Sequence, residues 1–465
     1  MQGPKLSVKS KLGYGSASIG DTTAYSLIGT FLLFFLTTEA GLDPGTAGII
    51  SGIGAVWNSL YNPIVGFISD RVHSSLGRRR SLMLLFCFPL ALTMTLLFTD
   101  VPIPEPVKAT YYGLMLLLFW TSYTGFFIPY LALGSEYTTD YNERTKLRLY
   151  ASFFNMLGNL LTMFAPVAMV ETLKKHGIGS DKAWAATGLT LGLLAAFSIL
   201  ITFFASKAYD PPVLPSESKS RSPFRLTAIF KEYFSVARLK PVKWLVLASL
   251  ASLCCYGMLM ADMMYFLTFN MRFSPAKTTF CLVMRSFVGI AVLPIIAKLA
   301  EKIDKRPTLI LLDTVGALLL IFVRLIGVSN NILLALYVFA SSLLTVVYWQ
   351  LMPSIYYDIC EYDRLATGHR RQGTIVSFQG LVEALAVGIG SFTLGMILKF
   401  AGFDGSLAVQ TPTALRWIFH CTTFVPILFT AVACFAIYKY PIDRKAYNRI
   451  VALLDARDRQ HHEEI

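Results

Sequence analysis

Two acids, Asp21 and Glu383, stand inside long apolar runs of a 465-residue chain and are the side chains best placed to do chemistry. A charge at the centre of a membrane helix costs about 2.5–3.5 kcal/mol on insertion scales, so each needs a partner or a task. Each lies roughly nine residues into its run, which at about 1.5 Å per residue puts it close to a bilayer midplane. A carboxyl there can bind a proton or a cationic group of a solute; a carboxyl hydrogen-bonded between helices is the alternative. Thr22 follows Asp21, and Gln379 precedes Glu383 by one turn. Trp120, Tyr123, Thr124 and Phe127 crowd one stretch, and Trp349 and Gln350 lie mid-run in another. Such aromatics stack on a flat solute or simply pack. Asp262 and Arg285 fall at matching depth in consecutive antiparallel runs, so a buried ion pair is expected; the other reading frees Arg285 for an anionic group. Asp313 and Arg324 read as structural. The chain has no His/Cys cluster, phosphate loop or Ser-His-Asp order. It therefore reads as no enzyme, with no catalytic residue, metal or cofactor, and its seven Cys read as buried apolar side chains.

The runs that position these residues dominate the composition. Apolar residues make up 55% and charged residues 15%, against about 25% charged in soluble proteins. Twelve stretches are long enough to span a bilayer: 12–38, 45–70, 81–99, 108–135, 149–171, 184–205, 243–270, 276–299, 307–327, 331–356, 374–401 and 413–440. The fold expected is an all-α membrane protein of twelve transmembrane helices. Most of the 41 Lys and Arg fall on the side shared by both termini and the middle loop, which puts that side in the cytoplasm. That placement accounts for the net charge of +13 without nucleic acid. The Pro- and Ser-rich interruption at 206–242 divides the chain into a first bundle, 1–205, and a second, 243–440, with a tail at 441–465.

The two halves repeat each other. After the second span stand Gly66, Asp70 and Arg71, then Gly77-Arg78-Arg79-Arg80; after the eighth stand Ala297, Glu301 and Lys302, then Lys305-Arg306. The fourth span ends in Glu136, Asp140, Glu143 and Arg144, the tenth in Asp358, Glu361, Arg364, Arg370 and Arg371. A small residue lets helix ends approach, and an acid pairs with bases or with a helix N-terminus. Gly66, Asp70, Arg71, Arg78, Glu136, Arg144, Asp358 and Arg371 thus read as a conformational clamp, closed in one state and parted in another.

With these residues in view, the sequence resembles the major facilitator superfamily, and within it the glycoside-pentoside-hexuronide:cation symporters. Lys11-Leu-Gly-Tyr-Gly with Gly20-Asp21, Trp57 through Asn62-Pro63, Ile128-Pro129 through Leu147, and Asp358 through Gly373 carry the likeness, over essentially all twelve spans. The resemblance implies two pseudo-symmetric six-helix bundles working by alternating access around a central cavity. It also shows departures from the family's melibiose symporter. Asn58 and Asn62 stand where that protein has sodium-binding aspartates, although Thr124 still matches a cation-site hydroxyl. Its sugar-contacting acids are matched by Thr22 and Phe127, a stacking tryptophan by Leu131, an arginine by Ala151 or Ser152, and a lysine by Ala384. Trp349 coincides with a family tryptophan. Asparagine carbonyls can coordinate sodium but give up the Coulomb attraction that offsets dehydration, and they carry no proton.

The expected function is therefore a secondary transporter, embedded in the cell membrane as a monomer with both termini cytoplasmic. Its substrate is a small polar organic solute such as a sugar or glycoside. Protons, rather than Na+, are the expected coupling ion, through Asp21 or Glu383, with Asn58 and Asn62 as remnants of a cation site. A lysophospholipid transporter, an uncoupled facilitator and a non-transporting receptor are the competing readings.

Overall fold

The computed structural model describes residues 6–69, 71–72, 74–138, 141–210, 226–328, 330–368 and 372–463. Every regular element among them is helical. In chain order they are α1 (Val8–Thr38), α2 (Pro44–Ser69), α3 (Arg78–Leu97), α4 (Glu105–Glu136), α5 (Tyr141–Lys175) and α6 (Ser180–Ala205). Then follow α7 (Leu226–Ala237), α8 (Lys240–Asn270), α9 (Pro275–Ile303), α10 (Lys305–Ile326), α11 (Asn331–Thr367), α12 (Gln372–Phe400), α13 (Pro412–Lys439) and α14 (Arg444–Glu463). Eleven are long and apolar enough to cross a membrane. The segment expected as the second span, α2, forms one 26-residue helix but is not among them. Its length suffices; Asn58, Ser59, Tyr61 and Asn62 with its glycines make it too polar. Neighbouring helices can carry such a segment, and α2 packs along α4.

Local signals set the helix ends. Ser7 caps α1 by accepting the Ser10 N–H at 3.1 Å, and Asn330 caps α11 through Leu333 N–H at 2.9 Å. Gly368 closes α11 in the left-handed conformation. Two helices loosen into π geometry, α1 at Ile28–Leu32 and α8 at Phe266–Asn270. These are the first long helices on either side of the Pro-rich linker, so the irregularity itself is repeated. Helices with an extra residue per turn concentrate at functional places.

Packing divides the chain into two compact units, both discontinuous. The first comprises Met1–Phe224, Met260–Val283 and Ser391–Ile418; the second comprises Arg225–Leu259, Met284–Gly390 and Phe419–Ile465. Within the first, α1 packs on α5 and α6, and α3 on α4 and α6. Met260–Val283 and Ser391–Ile418 join it through close contacts. A Cβ on Gly395 would come within 2.7 Å of the Gly48 Cα, so two backbones touch where only glycine fits. Lys399 Nζ reaches Asp43 Oδ2 at 3.1 Å. The second unit has its own core, centred on Leu245, Val347, Met352, Ile355 and Ile359. All seven Cys are free, and every one except the half-buried Cys434 is buried.

Candidate functional site

Polar side chains gather at two places, one inside each unit. In the first unit Tyr123 on α4 donates its hydroxyl to Asp21 Oδ1 on α1 at 2.7 Å. The Tyr123 ring stands edge-on to Trp120, centroids 5.5 Å apart, and stacks on Phe127 at 5.4 Å. Tyr25, one turn beyond Asp21, lies 6.0 Å from Trp120. Thr22 is buried with its hydroxyl unpartnered. An acid against an aromatic wall can exchange a proton while a flat solute stacks beside it. The wall arises because α4 repeats aromatics at helical spacing, so several reach one face.

Beside it, Thr124 donates to Asn58 Oδ1 at 2.9 Å, while Asn62 is half-buried one turn further along α2. Asn58 and Thr124, two of the residues matching the family's cation site, therefore meet. They supply neutral oxygens and no charge. Trp57 points elsewhere, donating to Thr121 Oγ1 at 2.9 Å and stacking on Tyr61. Arg148, at the start of α5, lies within electrostatic reach of Asp21 and of Tyr14. Sequence reasoning placed the family's arginine position on Ala151 or Ser152 and passed over Arg148, three residues earlier and on the same helical face. The i, i+3 spacing would have found it.

In the second unit Gln379 Nε2 donates to Glu383 Oε1 at 2.8 Å, and the Tyr348 hydroxyl donates to the same oxygen at 3.2 Å. Trp349 stands edge-on to Tyr348 and Tyr256, centroids 5.5 and 5.9 Å away, and both Trp349 and Gln350 are exposed. Arg285 is half-buried, within electrostatic reach of Tyr256 and Tyr337. Asp262 is fully buried in the first unit, with neither carboxyl oxygen hydrogen-bonded.

Of the residues expected as a clamp, Arg78, Glu136 and Asp358 make ion pairs, with partners the expectation did not all include. Arg78 Nη2 and Arg79 Nε reach Glu136 Oε1 at 2.8 and 3.0 Å, and Arg79 Nη1 donates to Ser69 Oγ at 2.6 Å. Asp210, which spacing did not single out, accepts the backbone N–H groups of Arg78, Arg79 and Arg80 at 2.8–3.0 Å and so caps α3. Lys305 Nζ grips Asp358 at 2.8 Å. Lys11 pairs with Glu143 at 2.7 Å; that contact, with Lys146, pulls the Glu143 carboxyl down to about 2. Arg71 lies over the Phe67 ring, its guanidinium 3.4 Å from the centroid. A Cβ on Gly66 would meet only Ile128 at 3.9 Å, so the close approach expected there is not needed. Asp70, Arg371 and the Arg144 side chain lie outside the described residues.

The family described as MFS/sugar transport protein matches residues 13–444. The uncharacterized symporter YnaJ of Bacillus subtilis (strain 168) is 28% identical over 98% of this chain and 96% of its own. The isoprimeverose transporter of Lactiplantibacillus pentosus is 24% identical over 93% of this chain and 88% of its own. Among solved structures, the nucleoside transporter NupG aligns with a TM-score of 0.65 at 11% identity, covering 93% of this chain and 100% of NupG. At that identity the likeness speaks for the fold alone.

Proposed function

We propose, from the premise that this chain belongs to the MFS/sugar transport protein family of membrane transporters, that it carries a sugar or glycoside by proton symport through Asp21 and Glu383. The observation that carries this reading is the setting of the two acids. Both accept hydrogen bonds from neutral donors, Tyr123 in one unit and Gln379 with Tyr348 in the other. A carboxyl so held can take up and release a proton. Asn58 and Thr124 supply neutral oxygens where a sodium ion would need negative charge to offset its dehydration. Protonation of an acid beside a stacked sugar makes occupancy by the two ligands interdependent, which is what coupling requires. The excess of Lys and Arg on the side of the termini supports a cytoplasmic position for them, and with that orientation an inward proton gradient would drive uptake.

Purified protein in proteoliposomes, offered a panel of sugars, glycosides and uronates under imposed proton or sodium gradients, tests the reading. Accumulation driven by a pH gradient is expected, with loss of accumulation but retained exchange in Asp21→Asn or Glu383→Gln. Uptake strictly dependent on sodium and indifferent to pH contradicts it.

A further inference from the structure

Asp262 is a buried acid that neither polar cluster uses. It is completely shielded from solvent, and both carboxyl oxygens lack a hydrogen-bond partner. Among the described residues no charged side chain acts on it, and the titratable group facing it is Tyr265, one turn along the same helix. An ionised carboxylate in that setting would lose its hydration with nothing in exchange, whereas the protonated acid loses far less.

One turn along α8 from it, Tyr265 enters a joint between two loosened helices. Asp262 lies four residues before the π segment Phe266–Asn270 of α8. Tyr265, between them, puts its hydroxyl 2.9 Å from the Leu33 carbonyl and 2.6 Å from Thr37 Oγ1. Leu33 directly follows the matching π segment of α1, Ile28–Leu32. Phe34 and Phe403 pack edge-on against the same Tyr265 ring at 5.4 and 5.2 Å. A joint assembled from one tyrosine hydroxyl and ring edges is dry when packed and admits water when parted.

We propose that Asp262 is a proton-binding site, and that packing of α1 against α8 at Leu33, Thr37 and Tyr265 depends on its being occupied. Protonated, the acid is tolerated in the dry joint and the joint stays shut. Once water reaches it the proton leaves, and the resulting carboxylate resists re-burial. Alkaline conditions therefore favour the parted joint and acid conditions the packed one. No step here passes through Asp21, Glu383 or a bound sugar, so the inference stands or falls apart from the coupling reading.

Infrared difference spectroscopy of the full chain in lipid bilayers tests the site directly. A protonated carboxyl has a C=O stretch that a carboxylate lacks. Wild type minus Asp262→Asn should retain that band at neutral pH, where exposed acids are ionised; its absence overturns the proposal. Hydrogen exchange of residues 28–38 tests the consequence. After correction for intrinsic base catalysis, exchange should rise with pH in wild type and become flat in Asp262→Asn. A flat wild type, or a rise that survives the substitution, overturns it equally. Should Asp262→Asn fail to fold, Asp262→Glu keeps the test decisive: its band should persist at a shifted frequency, and an unshifted spectrum counts against the site.

Discussion

Gly77 and Asp304 occupy the same place in the two halves, each just before a long helix that follows a basic loop. Their backbones agree closely, φ 99° and ψ 157° for Gly77 against φ 83° and ψ 158° for Asp304. In both, the next residue is a base that pairs with an acid near the end of another helix, Arg78 with Glu136 and Lys305 with Asp358. The means differ. Gly77 adopts the left-handed region freely and leaves the capping to Asp210 from after α6. Asp304 accepts the strain and caps for itself, through Lys305 N–H at 2.7 Å, while its other oxygen takes the Arg444 N–H that opens α14. The polar clusters diverge further: one sets an acid beneath an aromatic wall, the other grips an acid with an amide and a phenol. Helix-end geometry persists between the repeats, while side chains that would face a solute do not.

The largest effects expected fall on the acids. Asp21→Asn and Glu383→Gln should each abolish gradient-driven accumulation, read as intravesicular label against time. If only one does, the two clusters are unequal in coupling, and the comparison sharpens to that half.

Substitution at the two loop positions breaks the structural half of the comparison. Gly77→Ala meets a positive φ and would set its Cβ 2.5 Å from the Asp210 carbonyl oxygen, so a loss of about 1–3 kcal/mol is expected. Asp304→Gly relieves backbone strain but gives up two caps, so its net change should stay within about 1 kcal/mol. Thermal unfolding in detergent with equal ligand and lipid reads both; equal losses at the two sites would mean that the two loops do not differ in how they hold their shared geometry. Between them, Asp210→Ala removes a charged cap shared by three N–H groups and should cost about 1–2 kcal/mol.

A smaller effect follows pH. The folded Glu143 carboxyl titrates at about 2 rather than 4.5, held down by Lys11 and then Lys146. A depressed acid stabilises above its unfolded value, so this contribution is full above pH 4.5 and fades as pH falls from there towards 2. Glu143→Gln should remove that part of the acid-side loss, measured as the difference in melting temperature between pH 6 and pH 3.

Much of this architecture was legible in the chain. The apolar runs located the long helices, though some extend past them, as Asn331–Thr367 does beyond 356. The charged span ends were singled out without their pairings, and Gln379 was marked as a polar neighbour of Glu383, to which it donates. What was hidden depends on direction rather than spacing. Tyr123 reaches Asp21 from 102 residues away, and Asp210 caps Arg78 from 132. That both Asp262 oxygens are buried without a hydrogen bond is a matter of helix rotation that no run of residues encodes locally. The segment expected as the second span keeps its helical length but not the expected apolarity, and its Asn58 meets Thr124.

The most direct test of the central claim is proton movement itself. Adding a transported sugar to proteoliposomes without any imposed gradient should alkalinise the outer medium in step with sugar entry. Asp21→Asn and Glu383→Gln should move no protons. Sugar entry accompanied by sodium uptake, with the external pH unchanged, would contradict the account.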